Sequence, residues 1–261
     1  MIDVNSFVLN CMPRKRLLRL FHPPVLVYHA VGPIGKAKQQ DIMPEGIFRR
    51  QLDFFAKNRY KVISPYELIN QIVQGNKAEG NGFSVVLTFD DGDESFYSLV
   101  FPLLLQYKYP ATLFLVPGKV GQQGYLSWSN IKEIAKSGLI TFGNHTMTHV
   151  YLPSFEEEGL FYEIEHSRKL MEDAIGRSVD LLAYPWGGFN SYIKDRIRKN
   201  NYKAAFTTNQ YADGKLGSID LYALRRLTVS SKENSLRFTI KLSGAGYLFG
   251  RKMKKEGQLC L

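Results

Sequence analysis

Cysteine, long apolar runs and late histidines are all scarce in this chain, and each scarcity closes off some chemistry. Its 261 residues include two cysteines, Cys11 and Cys260, near opposite ends. Such a pair offers neither a disulfide framework nor a zinc cluster, and the two read as free thiols. No hydrophobic run approaches the roughly 18–20 residues of a membrane span. A secretory layout is missing too, because Arg14, Lys15, Arg16 and Arg19 follow the mildly apolar Phe7-Val8-Leu9 rather than precede it. Low-complexity linkers and internal repeats are also absent. Of five histidines, none lies beyond His166, so imidazole chemistry must come from the earlier part of the chain.

What is present fits one large α/β domain. Hydrophobic residues make up 44% of the chain, enough for a substantial core. Residues 1–22 read as a basic N-terminal segment and 23–261 as a single domain. The net charge of +10 favours anionic surfaces without identifying them. Residues 7–21 mix Phe, Leu and Met with basic residues, and Arg251, Lys252, Lys254 and Lys255 repeat the theme. Peripheral contact with an anionic membrane would suit that composition, as would two frayed basic termini. Basic runs interleaved with aromatics, the mark of single-strand binders, are missing, which argues against nucleic acid. The expected location is cytoplasmic, with the inner membrane face as a peripheral site.

Short apolar runs alternate with amphipathic stretches. Strands are expected at Val25–His29, Tyr60–Ser64, Ser84–Phe89, Ala111–Val116, Leu139–Gly143, Leu181–Tyr184, Ala204–Thr207 and Leu224–Val229. Helices are expected over 47–57, from Pro65, over 95–107 with Pro102 near its start or kinking it, over 125–137, from about 160 to 174, over 190–200 and over 235–247. Strand and helix in regular alternation predict a mostly parallel sheet of about seven or eight strands wrapped by helices, closed into a distorted (β/α) barrel. Such folds place their chemistry at the strand C-termini.

Two features fall on that rim. Ser84 to Gly92 reads Ser-Val-Val-Leu-Thr-Phe-Asp-Asp-Gly, a strand suited to burial on both faces that ends in two carboxylates and a glycine able to turn both toward one cleft. Adjacent carboxylates invite a division of labour between cation binding and proton handling; an ordinary solvated turn has the same composition. The run Leu139–Gly143 opens onto Asn144-His145-Thr146-Met147-Thr148-His149. On a helical turn, four-residue spacing brings both imidazoles to one face. Two imidazoles and a carboxylate would hold zinc with an open position, and cobalt, nickel, manganese or iron could use the same ligands. A solvated helix face is the competing reading.

Taken together, Thr88-Phe89-Asp90-Asp91-Gly92, His145-Thr146-Met147-Thr148-His149 and Tyr184-Pro185-Trp186-Gly187 resemble, in order, the first three motifs of the polysaccharide deacetylases (the NodB-homology, or carbohydrate esterase 4, family). The resemblance implies a distorted (β/α) barrel that removes N- or O-acetyl groups from sugars with one divalent metal ion. By position it makes Asp91, His145 and His149 the metal ligands and Asp90 the general base, with the backbone N–H of Trp186 in the oxyanion hole. Tyr184, Pro185 and Arg226 are the candidate substrate-binding residues, with Tyr184 and Trp186 able to face a sugar ring. The implied partner is an N-acetylated sugar, oligosaccharide or lipid-linked glycan.

Two departures qualify the likeness. Many members carry an arginine shortly before the third-motif proline, where this chain has Ala183 and Tyr184, and a late Leu-x-His whose histidine is the general acid. Val25-Leu26-Val27-Tyr28-His29 resembles the opening strand of the poly-N-acetylglucosamine deacetylase branch, in which the catalytic elements are circularly permuted, and this makes His29 the expected acid. Arg225 and Arg226 are the candidates to orient Asp90 in place of the missing arginine. Two other functions stay open: the same metal site acting on a different non-peptide carbon–nitrogen bond, and an inactive basic binding module.

Overall fold

The computed structural model describes residues 23–33, 42–75, 83–209 and 219–243. The basic segment 1–22, the basic cluster at 251–255 and both cysteines lie outside the described residues. No helix among the described residues is long and apolar enough to cross a membrane.

The chain opens with β1 (Val25–Tyr28), then β2 (Ala30–Val31) and β3 (Ile42–Met43), which pair with each other in parallel. In α1 (Glu45–Lys57), Phe48, Leu52 and Phe55 recur at helical spacing and are buried. After β4 (Lys61–Val62), the Ser64 hydroxyl caps α2 (Pro65–Val73) by accepting the Glu67 N–H at 3.1 Å, and Pro65 occupies the first turn, where its missing N–H costs nothing. The Asp-Asp strand is β5 (Ser84–Phe89). A widened π-helical turn, Phe96–Val100, precedes α3 (Phe101–Tyr107), with Pro102 in the first turn of α3; proline has no N–H for the regular ladder, so the irregularity falls beside it. Next come β6 (Ala111–Leu115), α4 (Trp128–Lys136) and β7 (Ile140–Asn144). The side chains of Ser127 and Asn130 cap α4 reciprocally. α5 (Glu157–Leu160), a π-helical turn at Phe161–His166 and α6 (Ser167–Ile175) follow one another without a break. The rest is β8 (Leu181–Ala183), α7 (Ser191–Lys199), β9 (Ala204–Thr207), β10 (Leu224–Arg225), β11 (Leu227–Thr228) and α8 (Ser235–Leu242).

The main sheet runs β10-β9-β8-β7-β6-β5-β1-β11, with β4 paired to β5, and every pairing among these strands is parallel. The sequence predicts one final strand over 224–229. Instead that run divides at Arg226: Leu224 and Arg225 pair with β9, whereas Leu227 and Thr228 pair with β1. One short segment therefore lies at both ends of the sheet order and nearly closes it into a barrel.

Burial on both faces explains the apolar strands. Val85, Leu87 and Phe89 of β5 join a large cluster with α1, α3 and α4, while the intervening Val86 joins Val25, Phe114, Leu181, Ala204 and Phe206. In register, Tyr28 pairs with Phe89 and Leu115 with Asn144. The residues that follow β1, β5 and β7 thereby emerge on one rim. Phe114 packs tightly against β7, since a Cβ on Gly143 would lie 2.3 Å from its ring. Gly143→Ala is expected to destabilise the protein by about 1–3 kcal/mol through overpacking, read as a lower urea midpoint at unchanged slope.

Candidate active site

Asp90 is fixed from both sides. Its N–H donates to the Tyr28 carbonyl at 2.9 Å, continuing the β1–β5 ladder. Its carboxylate is gripped by Arg226, whose Nη1 donates to Oδ1 at 2.6 Å and Nη2 to Oδ2 at 2.7 Å. Both side chains are buried, Arg226 at 1% exposure. Nη1 also donates to the Thr88 hydroxyl at 3.3 Å, and the Phe114 ring lies 5.3 Å from the guanidinium carbon. Burial alone would raise the pKa of Asp90, but the charge of Arg226 and its hydrogen bonds outweigh it and hold the carboxyl down at about 2.

The chain then turns sharply. Asp91 and Gly92 both have left-handed backbones (φ 69° and 78°), and the Gly92 N–H donates back to the Asp90 carbonyl at 2.9 Å. A Cβ on Gly92 would also approach Leu115 to 2.8 Å. This turn brings Asp91 toward the two histidines. Asp91 Oδ1 lies 3.3 Å from His149 Nε2 and 3.8 Å from His145 Nε2.

Contrary to the helical expectation, His145–His149 is an irregular loop. Its five amides find five partners, none of them the i−4 carbonyl a helix would use. The His145 N–H donates to the Leu115 carbonyl, that of Thr146 to Asn144 Oδ1, that of Met147 to the Glu163 carbonyl, that of Thr148 to Glu163 Oε2, and that of His149 to the Thr146 hydroxyl. Thr146 and His149 take left-handed φ values of 65° and 64°. The imidazoles still meet, with centroids 4.9 Å apart and planes at 67°.

The Ala183 carbonyl, 2.7 Å from His145 Nδ1, can only accept, so Nδ1 carries the proton and Nε2 presents its lone pair to the aspartates. Burial lowers the pKa of His145 despite Asp90 and Asp91. Burial and the neighbouring His145 lower that of His149 to about 4. Both rings are neutral at pH 7, so their short contacts with Asp90 and Asp91 are not ion pairs.

Neutral imidazoles and a carboxylate are the donor set of a divalent metal site, and three ligand atoms of Asp91, His145 and His149 lie within 4.8 Å of one another. Ligands at ~2.1 Å around a tetrahedral ion stand roughly 3.4 Å apart, close to the spacing here. Asp91 Oδ1 is buried and has no hydrogen-bond partner, an orphaned acceptor of the kind a cation satisfies. The residues fit the ion.

Other sequence expectations land differently. His29 directly follows β1, whose last residue, Tyr28, pairs with Phe89 immediately before Asp90. Trp186 is 73% exposed, with its ring 5.2 Å from that of His149 and its backbone left-handed (φ 58°). The Gly187 and Gly188 amides donate to the Tyr184 and Pro185 carbonyls, whereas the Trp186 N–H has no backbone partner among the described residues. The three residues expected to bind substrate need correction. Tyr184 is 1% exposed, stacked on Phe189 with its hydroxyl donating to the Tyr222 carbonyl, so it is core. Pro185 is buried at the start of the turn. Arg226 is sealed beneath Asp90. Sequence reasoning also missed Glu163, 3% exposed and bonded to the histidine loop. Its signal was a carboxylate three residues after Leu160, within the apolar stripe that Ile164 continues.

Replacing Arg226 by Met would strand a buried carboxylate and is expected to cost about 3–5 kcal/mol at pH 7. Because the folded pKa of Asp90 is depressed, its stabilising contribution is present above pH ~4 and lost as pH falls toward 2. In metal-free wild type that loss is roughly 2 kcal/mol. In Arg226→Met the largest influence that lowers the Asp90 pKa is gone and burial opposes what is left, so that loss is expected to shrink; urea midpoints at pH 7 and 2.5 check both.

Residues 77–205 match the family described as Polysaccharide deacetylase. The chain is 27% identical over 207 residues to YxkH of Bacillus subtilis, a protein named for the same family, covering 79% of this chain and 71% of that one. It is 30% identical over 142 residues to the poly-beta-1,6-N-acetyl-D-glucosamine N-deacetylase of Staphylococcus aureus, and the match spans 49% of each protein, about half the relative's length. Among solved structures, IcaB from Ammonifex degensii superposes with a TM-score of 0.71 at 25% identity, over 87% of this chain and 97% of that one. The matched segment runs from just ahead of β5 into β9, leaving His29 and Arg226 outside it, and the barrel is shared with IcaB: this chain carries a polysaccharide deacetylase domain over residues 77–205.

Proposed function

We propose that this protein is a metal-dependent hydrolase that removes N-acetyl groups from a glucosamine-containing polysaccharide or glycoconjugate. One observation carries the reading: Asp91, His145 and His149 converge on a common point beside an ionised Asp90 that Arg226 holds still. The name of the Staphylococcus aureus relative supports the choice of acetylated glucosamine as substrate. Zinc is the first candidate for the ion, ahead of cobalt, nickel, manganese or iron.

A divalent ion held by Asp91, His145 and His149 supplies a Lewis acid that polarises the acetyl carbonyl and lowers the pKa of water. The protein's own groups do the rest. Asp90, ionised and rigid, accepts a proton from the attacking water as its oxygen adds to the acetyl carbon. The Trp186 N–H donates to the oxyanion that develops. His29, on the neighbouring strand end, delivers a proton to the sugar nitrogen as the carbon–nitrogen bond breaks, and the proton that Asp90 took then passes through solvent to restore His29. The sum is amide plus water giving acetate plus amine.

Acetate release from N-acetylglucosamine oligomers, presented free and lipid-linked, tests this proposal. Activity is expected to disappear with chelator, return with added zinc or cobalt, and fall at least about 10²–10⁴-fold in Asp90→Asn. Undiminished release by that variant would defeat the proposal. The role of His29 is tested separately with two leaving groups. His29→Ala is expected to lose about 10²-fold or more in kcat/KM on the acetamide but little on an aryl acetate, whose leaving group needs no proton. Equal losses on both would remove His29 from proton delivery.

A further inference from the structure

Glu163 stands outside every motif, yet it holds the loop that presents both imidazoles. Its two carboxylate oxygens both go to Thr148, Oε2 accepting from the backbone N–H at 2.9 Å and Oε1 from the hydroxyl at 2.7 Å. Its carbonyl accepts from the Met147 N–H at 3.2 Å. Three bonds thus tie the residues between His145 and His149 to a single residue. The opposite side of the loop is pinned as well, because the Gly118 N–H donates to the Met147 carbonyl at 2.9 Å.

The anchor is rigid for a physical reason. Glu163 lies in the π-helical turn 161–166, an irregularity that often marks functional places. Around it, Asn144 Nδ2 lies 2.7–3.0 Å from the Ile164 carbonyl, Ser167 Oγ and Tyr202 Oη and shares its two N–H groups among them, and Ser167 Oγ donates to the Glu163 carbonyl at 2.6 Å. All of these residues are buried. Asn144 itself ends β7 and caps the Thr146 amide. The loop and its anchor are therefore one hydrogen-bonded unit, with His149 the next residue after the clamped Thr148.

We infer that Glu163 is a positioning residue for metal binding: by clamping Thr148 it holds His149 in its left-handed conformation, facing Asp91. Without the clamp, the loop would spread over several conformations, and binding an ion would have to select one. Groups that orient metal ligands typically contribute 10–100-fold in affinity. This inference rests on the metal site proposed above.

The test is titration of the full-length, metal-free protein with Zn²⁺ against a chromophoric chelator, with the Co²⁺ absorption spectrum as a second readout. Glu163→Leu, which keeps the bulk and removes both acceptors, is expected to bind 10–100-fold more weakly with an altered Co²⁺ spectrum. Glu163→Gln is expected to stay near wild type, because its amide can accept from the Thr148 N–H and donate to the Thr148 hydroxyl. Thr148→Val cuts only the hydroxyl arm and is expected to weaken binding several-fold, which keeps the inference testable should Glu163→Leu not fold. Leu160→Ala, a core truncation one turn away, is expected to lower the melting temperature and leave affinity unchanged. Wild-type affinity in Glu163→Leu or Thr148→Val, or an equal loss in Leu160→Ala, overturns the inference. If the wild type itself binds no stoichiometric ion, the metal site fails, and the inference falls with it for that separate reason.

Discussion

The pairing of Asp90 with Arg226 joins the fold to its rim. Removing two opposite charges from water is expensive, and such a pair is tolerated only where the geometry between them is good. Here the two Nη atoms meet both carboxylate oxygens, a third bond reaches Thr88, and an aromatic face covers the delocalised cation, while Nε stays buried without a hydrogen-bond partner among the described residues. Arg226 sits where the last strand run leaves β9 for β1. Its own N–H still bonds the Thr207 carbonyl on β9 at 2.8 Å, while its side chain reaches across to the end of β5. The residue that nearly closes the barrel is thus the one that fixes the rim's central carboxylate.

That pairing separates two aspartates that are neighbours in sequence. Asp90 has all its charge answered by protein and is held ionised. Asp91, one residue on, has an oxygen buried with no protein partner. Their surroundings differ because the chain turns left-handed at Asp91 and Gly92, so one side chain stays over Arg226 while the next swings toward the histidines. Two carboxylates with opposed surroundings can take separate tasks. Under the proposed function the first is the fixed acceptor for protons and the second a ligand of the cation.

Much of this was legible in the chain because buried parallel strands have little choice of composition. Val85, Val86, Leu87 and Phe89 had to be apolar because both faces of their strand are buried, and Pro65 marks a helix start through its missing N–H. Tertiary partners were the part that spacing could not encode. The His-x-x-x-His interval matches a helix, yet the amides of that loop are taken by Leu115, Asn144 and Glu163. Tyr184 reads as a sugar-facing aromatic until Tyr222 and Phe189 claim it. The run 224–229 reads as one strand because nothing local says that its halves pair with opposite ends of the sheet.

Backbone strain gives a line of argument that owes nothing to motifs. Among the described residues, seven non-glycine residues adopt left-handed φ values: Arg59, Asp91, Lys108, Thr146, His149, Trp186 and Asn201. Three need no special account, because Arg59, Lys108 and Asn201 lie within two residues of the ends of α1, α3 and α7, where a left-handed residue commonly ends a helix. The other four all surround the candidate metal ligands. Such conformations cost of order 1–3 kcal/mol each and persist only where neighbouring bonds over-determine them, as the bonds to Asn144, Glu163 and the Thr146 hydroxyl do here. A chain that concentrates its unexplained strain in four residues on one rim has given up stability to hold a specific arrangement of side chains. Asp91 and His149 are two of those four, and both point toward the same place.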